Sequence, residues 1–164
     1  MANVYNLKKG VSETTDLKDV TTTAAELNLL TGVTATPAEL NTLVGSPQGA
    51  TIVVGADAGT TVAVTIQLTD ADGTDLAVRG NVFGYLSDDA TGDSIAGTAP
   101  SGGVAVGTDG LAIPLIAGKA WRFTSEADGD IDLVVTEAGA DTWYLVLVFP
   151  NGLLTVSDAI TFTA

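Results

Sequence analysis

From Thr51 onward the chain alternates. In Val62-Ala-Val-Thr-Ile-Gln-Leu-Thr69, Val62, Val64, Ile66 and Leu68 share one side; Ala63, Thr65, Gln67 and Thr69 share the other. A period of two marks a half-buried strand. The same period predicts strands over 130–137, with Ile131, Leu133 and Val135 inward and Asp130 and Asp132 outward, and over 120–124, where Trp121 and Phe123 point together. Further strands are expected at 51–54, 76–87, 111–116 and 153–163. Pro114 inside 111–116 marks that strand as an edge, because proline donates nothing to a ladder. Residues 142–149 are apolar on both faces, which suits a central strand or one whose outer face meets a partner. Turns are expected at Asp70-Ala-Asp-Gly-Thr74 and Pro150-Asn-Gly152, and a Gly- and Asp-rich loop over 88–103. Phe83 and Tyr85 share parity with Arg79 and Asn81, opposite Val82 and Leu86. They are either exposed aromatics at a subunit contact or core residues displaced in parity by a bulge. About eight such strands predict an all-β fold, a β-sandwich over 46–164.

The pattern changes upstream. Val20-Thr-Thr-Thr-Ala-Ala-Glu-Leu-Asn-Leu-Leu-Thr-Gly32 is followed at once by Val33-Thr-Ala-Thr-Pro-Ala-Glu-Leu-Asn-Thr-Leu-Val-Gly45. This is a tandem repeat over 20–45, and each unit encodes a short helical turn. Thr23 and Thr36 take the N-cap position with Glu26 and Glu39 three residues on, the capping-box spacing. Pro37 stands at the first helical position, where a missing N–H is harmless. Gly32 and Gly45 close the units. Leu27 and Leu30, then Leu40 and Leu43, form an apolar stripe in each unit. Helices this short are not stable alone. The stripes must be buried against the chain's own β-domain or against a neighbouring subunit or another protein, and a partner is expected to cover them. Residues 1–19 are a polar arm of mixed charge. Tyr5, Leu7, Lys8 and Lys9 are its candidate anchors for attachment, while Leu27, Leu30, Leu40 and Leu43 are those for attachment and oligomerisation.

The repeat V-T-x-T-x-A-E-L-N-x-L-x-G resembles the repeats of head-fibre, capsid-decoration and tail-fibre proteins of tailed phages. That resemblance implies a virion structural protein and a homo-oligomer, commonly a trimer. The run Val64-x-Ile-x-Leu-x-Asp-x-Asp-Gly73 resembles the early strands of phage and bacterial immunoglobulin-like domains. Ala138-Gly-Ala-Asp-Thr-Trp-Tyr144 resembles the corner at which a tyrosine hydrogen-bonds back to the backbone, and Val156-Ser-Asp-Ala-Ile-Thr-Phe162 fits a closing strand. The fold expected is therefore an immunoglobulin-like β-sandwich preceded by a short N-terminal arm and two short helical turns.

Composition narrows the chemistry. The chain has no Cys and no His. That removes disulfides, thiolate ligands, the commonest general base and any Ser-His-Asp triad. The net charge is −14, and the six basic residues are scattered, so no nucleic-acid partner is expected. Residues 46–164 hold three basic and fifteen acidic residues, a net charge of −12. No apolar run is long enough to span a membrane, and the start, Met1-Ala-Asn-Val-Tyr5, lacks the basic and apolar regions of a signal peptide. Asp70-x-Asp-Gly-x-Asp75 resembles the opening of a calcium loop, but Asn81 stands where the closing carboxylate belongs, so a polar turn is the expectation. Loops around Asp88, Asp89 and Asp93 and around Asp128, Asp130 and Asp132 leave convergence on Ca²⁺ open. No cofactor or metal is expected. No constellation for catalysis, including a glycosidase carboxylate pair, is assembled.

These observations and the resemblance together lead to one expectation. The chain is a non-enzymatic phage head-surface protein, made in the host cytoplasm. It docks on the major capsid protein through its N-terminal segment and projects an acidic sandwich. Its short length, single projecting domain and lack of a fibrous repeat favour the head. The alternative is a tail-fibre or adhesin module that binds a host surface receptor.

Overall fold

The structure is a computed structural model that describes residues 33–34 and 46–163. The 20–45 repeat, apart from Val33 and Thr34, and the 1–19 arm lie outside these residues.

Ten strands form among the described residues: β1 (Gly49–Val54), β2 (Thr61–Thr69), β3 (Asn81–Ser87), β4 (Gly103–Val106), β5 (Leu111–Ile116), β6 (Ala120–Thr124), β7 (Asp130–Thr136), β8 (Asp141–Val148), β9 (Leu154–Val156) and β10 (Ile160–Phe162). They make two sheets, ordered β1-β2-β7-β4 and β10-β8-β3-β6-β5, with β9 also on β8. Every pairing is antiparallel. The fold is the expected all-β sandwich. Alternation explains why the sheets pack. Val62, Val64, Ile66 and Leu68 of β2 meet Ile131, Leu133 and Val135 of β7 in the inner face of one sheet. Val82 and Leu86, Trp121 and Phe123, and Trp143, Leu145 and Leu147 fill the inner face of the other. Removing these side chains from water is the main source of stability. Trp121 stacks on Phe123 with centroids 5.8 Å apart, and Trp143 meets Phe162 edge-on at 6.2 Å.

The sheets share the spatial plan of an immunoglobulin domain. β1-β2-β7-β4 occupies the places of A-B-E-D, and β10-β8-β3 those of G-F-C, extended by β6 and β5. The connectivity departs at one point. β4, in the D place, precedes β5 and β6 in the chain rather than following them.

Three details differ from the sequence expectation. The strand expected over 76–87 begins only at Asn81. Leu76 instead plugs the end of the core at 2% exposure, its N–H donating to Leu68 O. Gly80 passes so close to Leu68 and Leu76 that a Cβ there would lie 2.9 Å from each. The strand expected over 153–163 is two strands. Val156 pairs with Val146, but Ile160 pairs with Trp143, so one extra residue bulges between them. Ser157 carries that bulge: its N–H donates to Leu145 O, and its Oγ accepts from Leu145 N–H at 2.9 Å. Lastly, Gly103 ends no loop but opens β4, whose Val104 and Val106 pair with Val135 and Leu133. The corner hydrogen bond also changes hands. Trp143 Nε1 donates to Thr98 O at 3.3 Å, and among the described residues Tyr144 makes no such bond.

Candidate docking surface

The outer face of the second sheet divides in two. Over one half, the β3–β4 loop folds back onto the strands. Asp89 organises it by accepting from Thr91 Oγ1 and from the Thr91 and Gly92 N–H groups. The Thr91 hydroxyl first, and the loop N–H groups after it, hold the Asp89 carboxyl below its usual range. Gly92 is buried on the methyls of Val146 and Val156, where a Cβ would lie 2.9 Å from Val146 Cγ2. Tyr85 donates its hydroxyl to Gly92 O. Burial, then the charges of Asp89 and Asp93, raise the tyrosine's pKa. Val146 is thereby fully buried on a face that would otherwise meet water.

Among the described residues the other half is open. Register places Leu154, Val148, Phe83, Arg122 and Ile113 in one row across five strands. Asn81, Thr124 and Leu111 form the next row. Phe83 is 54% exposed, Leu111 53%, Leu154 49% and Ile113 46%, so the row is apolar and wet together. Parity thus puts Phe83 outward and exposed rather than in the core. Tyr85 points to the same side but lies half-buried under the loop. Beside Phe83 runs a groove of about 280 Å³ lined by Asn81, Val82, Phe83, Val148, Phe149 and Pro150. The second sheet contains one carboxylate, Asp141 at the start of β8.

The acidic residues lie elsewhere, and their environments fall into two kinds. Some are fastened to backbone donors. Glu137 accepts from the N–H and Oγ of Ser101 and from the N–H groups of Gly139 and Ala138. The Ser101 N–H above all, then that of Gly139, brings it down to about 2. Asp57 is lowered chiefly by the Thr163 N–H, a bond that ties the last described residue to the β1–β2 loop. Asp70 accepts from the Asp72 and Thr74 N–H groups and so closes the turn that resembled a calcium loop. Asp130 is of the second kind. Burial, then the charges of Asp128, Asp132, Asp109 and Asp75, raises its carboxyl. Among the described residues no three Asp, Glu, His or Cys side chains are grouped to hold a metal ion.

The sequence-derived anchors Tyr5, Leu7, Lys8, Lys9, Leu27, Leu30, Leu40 and Leu43 lie outside the described residues. The open face was only half visible beforehand. The outward parity of Phe83 was readable, but the row joining it to Ile113 and Leu154 depends on strand register, which no local pattern encodes. Comparison with protein-family models and with curated proteins finds no match. Fold and surface define a β-sandwich with acidic loops and one open apolar face that no carboxylate interrupts.

Proposed function

We propose that this chain is a non-enzymatic structural protein of a tailed-phage head, a head fibre or capsid-decoration protein. Its N-terminal segment docks on the major capsid protein and joins copies into a homo-oligomer, a trimer. The sandwich projects outward from the virion. The observation that carries this reading is the tandem repeat over 20–45, whose leucine stripes need burial and whose pattern resembles phage virion repeats. The acidic loops of the sandwich suit a projecting domain, because they keep neighbouring particles apart.

Immunogold labelling or cryo-electron microscopy of the encoding phage tests it. Density at capsomer centres or threefold positions is the expected result. Density on the tail or baseplate alone would overturn the head assignment and favour a receptor-binding module. A chain lacking residues 2–19 should no longer enter virions; undiminished incorporation would remove the arm from the attachment.

A further inference from the structure

We propose that the open half of the second sheet is a self-association surface, on which a second copy of this chain packs face to face about a twofold axis. The inference goes beyond the phage reading and does not depend on it.

Charge is the first reason for choosing a second copy. A chain of net charge −14 repels its own kind at nearly every approach. The open rows offer Leu154, Val148, Phe83, Ile113, Asn81, Thr124 and Leu111, with Arg122 as their charged member. Neither row carries a carboxylate, and Glu126 at their border is paired with Arg79, so two copies meeting here oppose little negative charge. Arginine suits such a site, since its stem covers apolar surface while the guanidinium stays wet.

Shape is the second reason. A twofold interface must be self-complementary, so that a projection on each copy finds a recess on the other. Phe83 is a projection, and the groove between Asn81, Val148 and Pro150 lies directly beside it. Each ring can therefore enter the partner's groove in one symmetric contact.

Strand geometry disfavours one alternative way for copies to join, pairing through the β5 edge. β5 is a sheet edge, and edges recruit further strands. Pro114 has no N–H to offer, and the register slips between Pro114 and Ile116. Both features blunt edge-to-edge pairing next to the open rows.

Size then sets the strength. Five strands at about 4.8 Å spacing, over about four residues of length, give about 300–400 Å² per copy. A pair buries about 600–800 Å², less than the roughly 1,000 Å² of a stable specific interface. The contact is weak and concentration-dependent, and it matters where copies are held at high local density.

The chain has no cysteine, which makes the test direct. Full-length Asn81→Cys is oxidised at several protein concentrations, and covalent dimer is followed by gel. Ala63→Cys, on the outer face of the other sheet, is the control. Asn81→Cys should cross-link about tenfold faster than the control, faster still at higher concentration, as effective-concentration arguments require. Adding Phe83→Ser to Asn81→Cys should bring the rate down to the control's. Equal rates for the two single variants would overturn the proposal, as would a rate indifferent to Phe83→Ser. Slow cross-linking combined with protection of the Asn81→Cys thiol by virion heads or host cells would assign the face to another partner and also overturn it. Both substituted sites are exposed, so the fold is expected to persist; a thermal melt of each variant checks this.

Discussion

At the scale of single residues, the sandwich depends on a few positions where no other side chain fits. Gly84 in β3 is one. A Cβ there would lie 2.6 Å from Phe123 Cε2 and 3.0 Å from Leu147 Cδ2, both in the packed core. The Phe123 ring is stacked on Trp121 and Leu147 is fully buried, so neither has room to retreat, and Gly84→Ala should destabilise by about 1–3 kcal/mol through overpacking. That corresponds to a drop of about 4–15 °C in Tm for a domain of this size. A melt unchanged from wild type would mean that the core yields more than packing density allows. Glu137 is a position of another kind, at the surface but half-buried, and held by four donors of its own loop and of Ser101. Its folded pKa of about 2 lies below the ordinary 4.5. The stability it contributes is therefore complete above about pH 4.5 and disappears as pH falls toward 2. Glu137→Gln should lower Tm at pH 7, and the gap to wild type should close across that acid window. A gap that stayed constant with pH would mean that the carboxylate's charge is irrelevant.

At the scale of elements, the strands that were legible are those whose alternation runs long enough to be seen. β2 and β7 show it over nine and seven residues, and the structure places their inward sets as expected. β4 was hidden because Gly-Val-Ala-Val is four residues long, too short to reveal a period. The split between β9 and β10 was hidden for a different reason. Ser157 and its neighbours read as strand, and only the fixed register of β8 on both sides forces the extra residue out. Likewise Leu76 fits a strand pattern, yet the core needs it as an end plug. Periodicity reports which face is apolar; the end of an element is set by what it meets. The open face follows the same logic, since it exists only once five strands are in register. The edge strand β5 makes this testable. Pro114→Val restores the missing N–H and adds β propensity to an edge that already exposes Leu111, Ile113, Leu115 and Ile116. The variant should aggregate at lower concentration than wild type, with a rise in thioflavin binding or light scattering and little change in Tm. Unchanged solubility would show that the bulge next to Pro114 protects the edge without help from the proline.

At the scale of the whole molecule, two populations of carboxylate pull in opposite directions. Asp57, Asp89 and Glu137 are held ionised by local N–H and hydroxyl donors, and these short bonds are little affected by salt. Asp130 sits among Asp128, Asp132, Asp109 and Asp75, and its raised pKa records burial together with repulsion acting over a longer range. A carboxyl whose folded pKa is raised destabilises the fold at neutral pH and is relieved as pH falls. Its sign is therefore opposite to that of Glu137. Asp130→Asn should raise Tm at pH 7, and the gain should vanish once the wild-type carboxyl is itself protonated. Salt separates the long-range part of the repulsion from the burial. Moving from about 0.01 M to about 1 M NaCl shortens the Debye length from about 30 Å to about 3 Å. Repulsion across a domain of net charge −12 is then screened, while the capped carboxylates keep their bonds. Wild-type Tm should rise by about 5 °C over that range, equivalent to about 1 kcal/mol, and the Asp130→Asn variant should rise less. The same screening weakens repulsion between copies, so Asn81→Cys cross-linking should accelerate with salt alongside Tm. If Tm rose and cross-linking did not, charge would govern the fold of each copy but not the meeting of two.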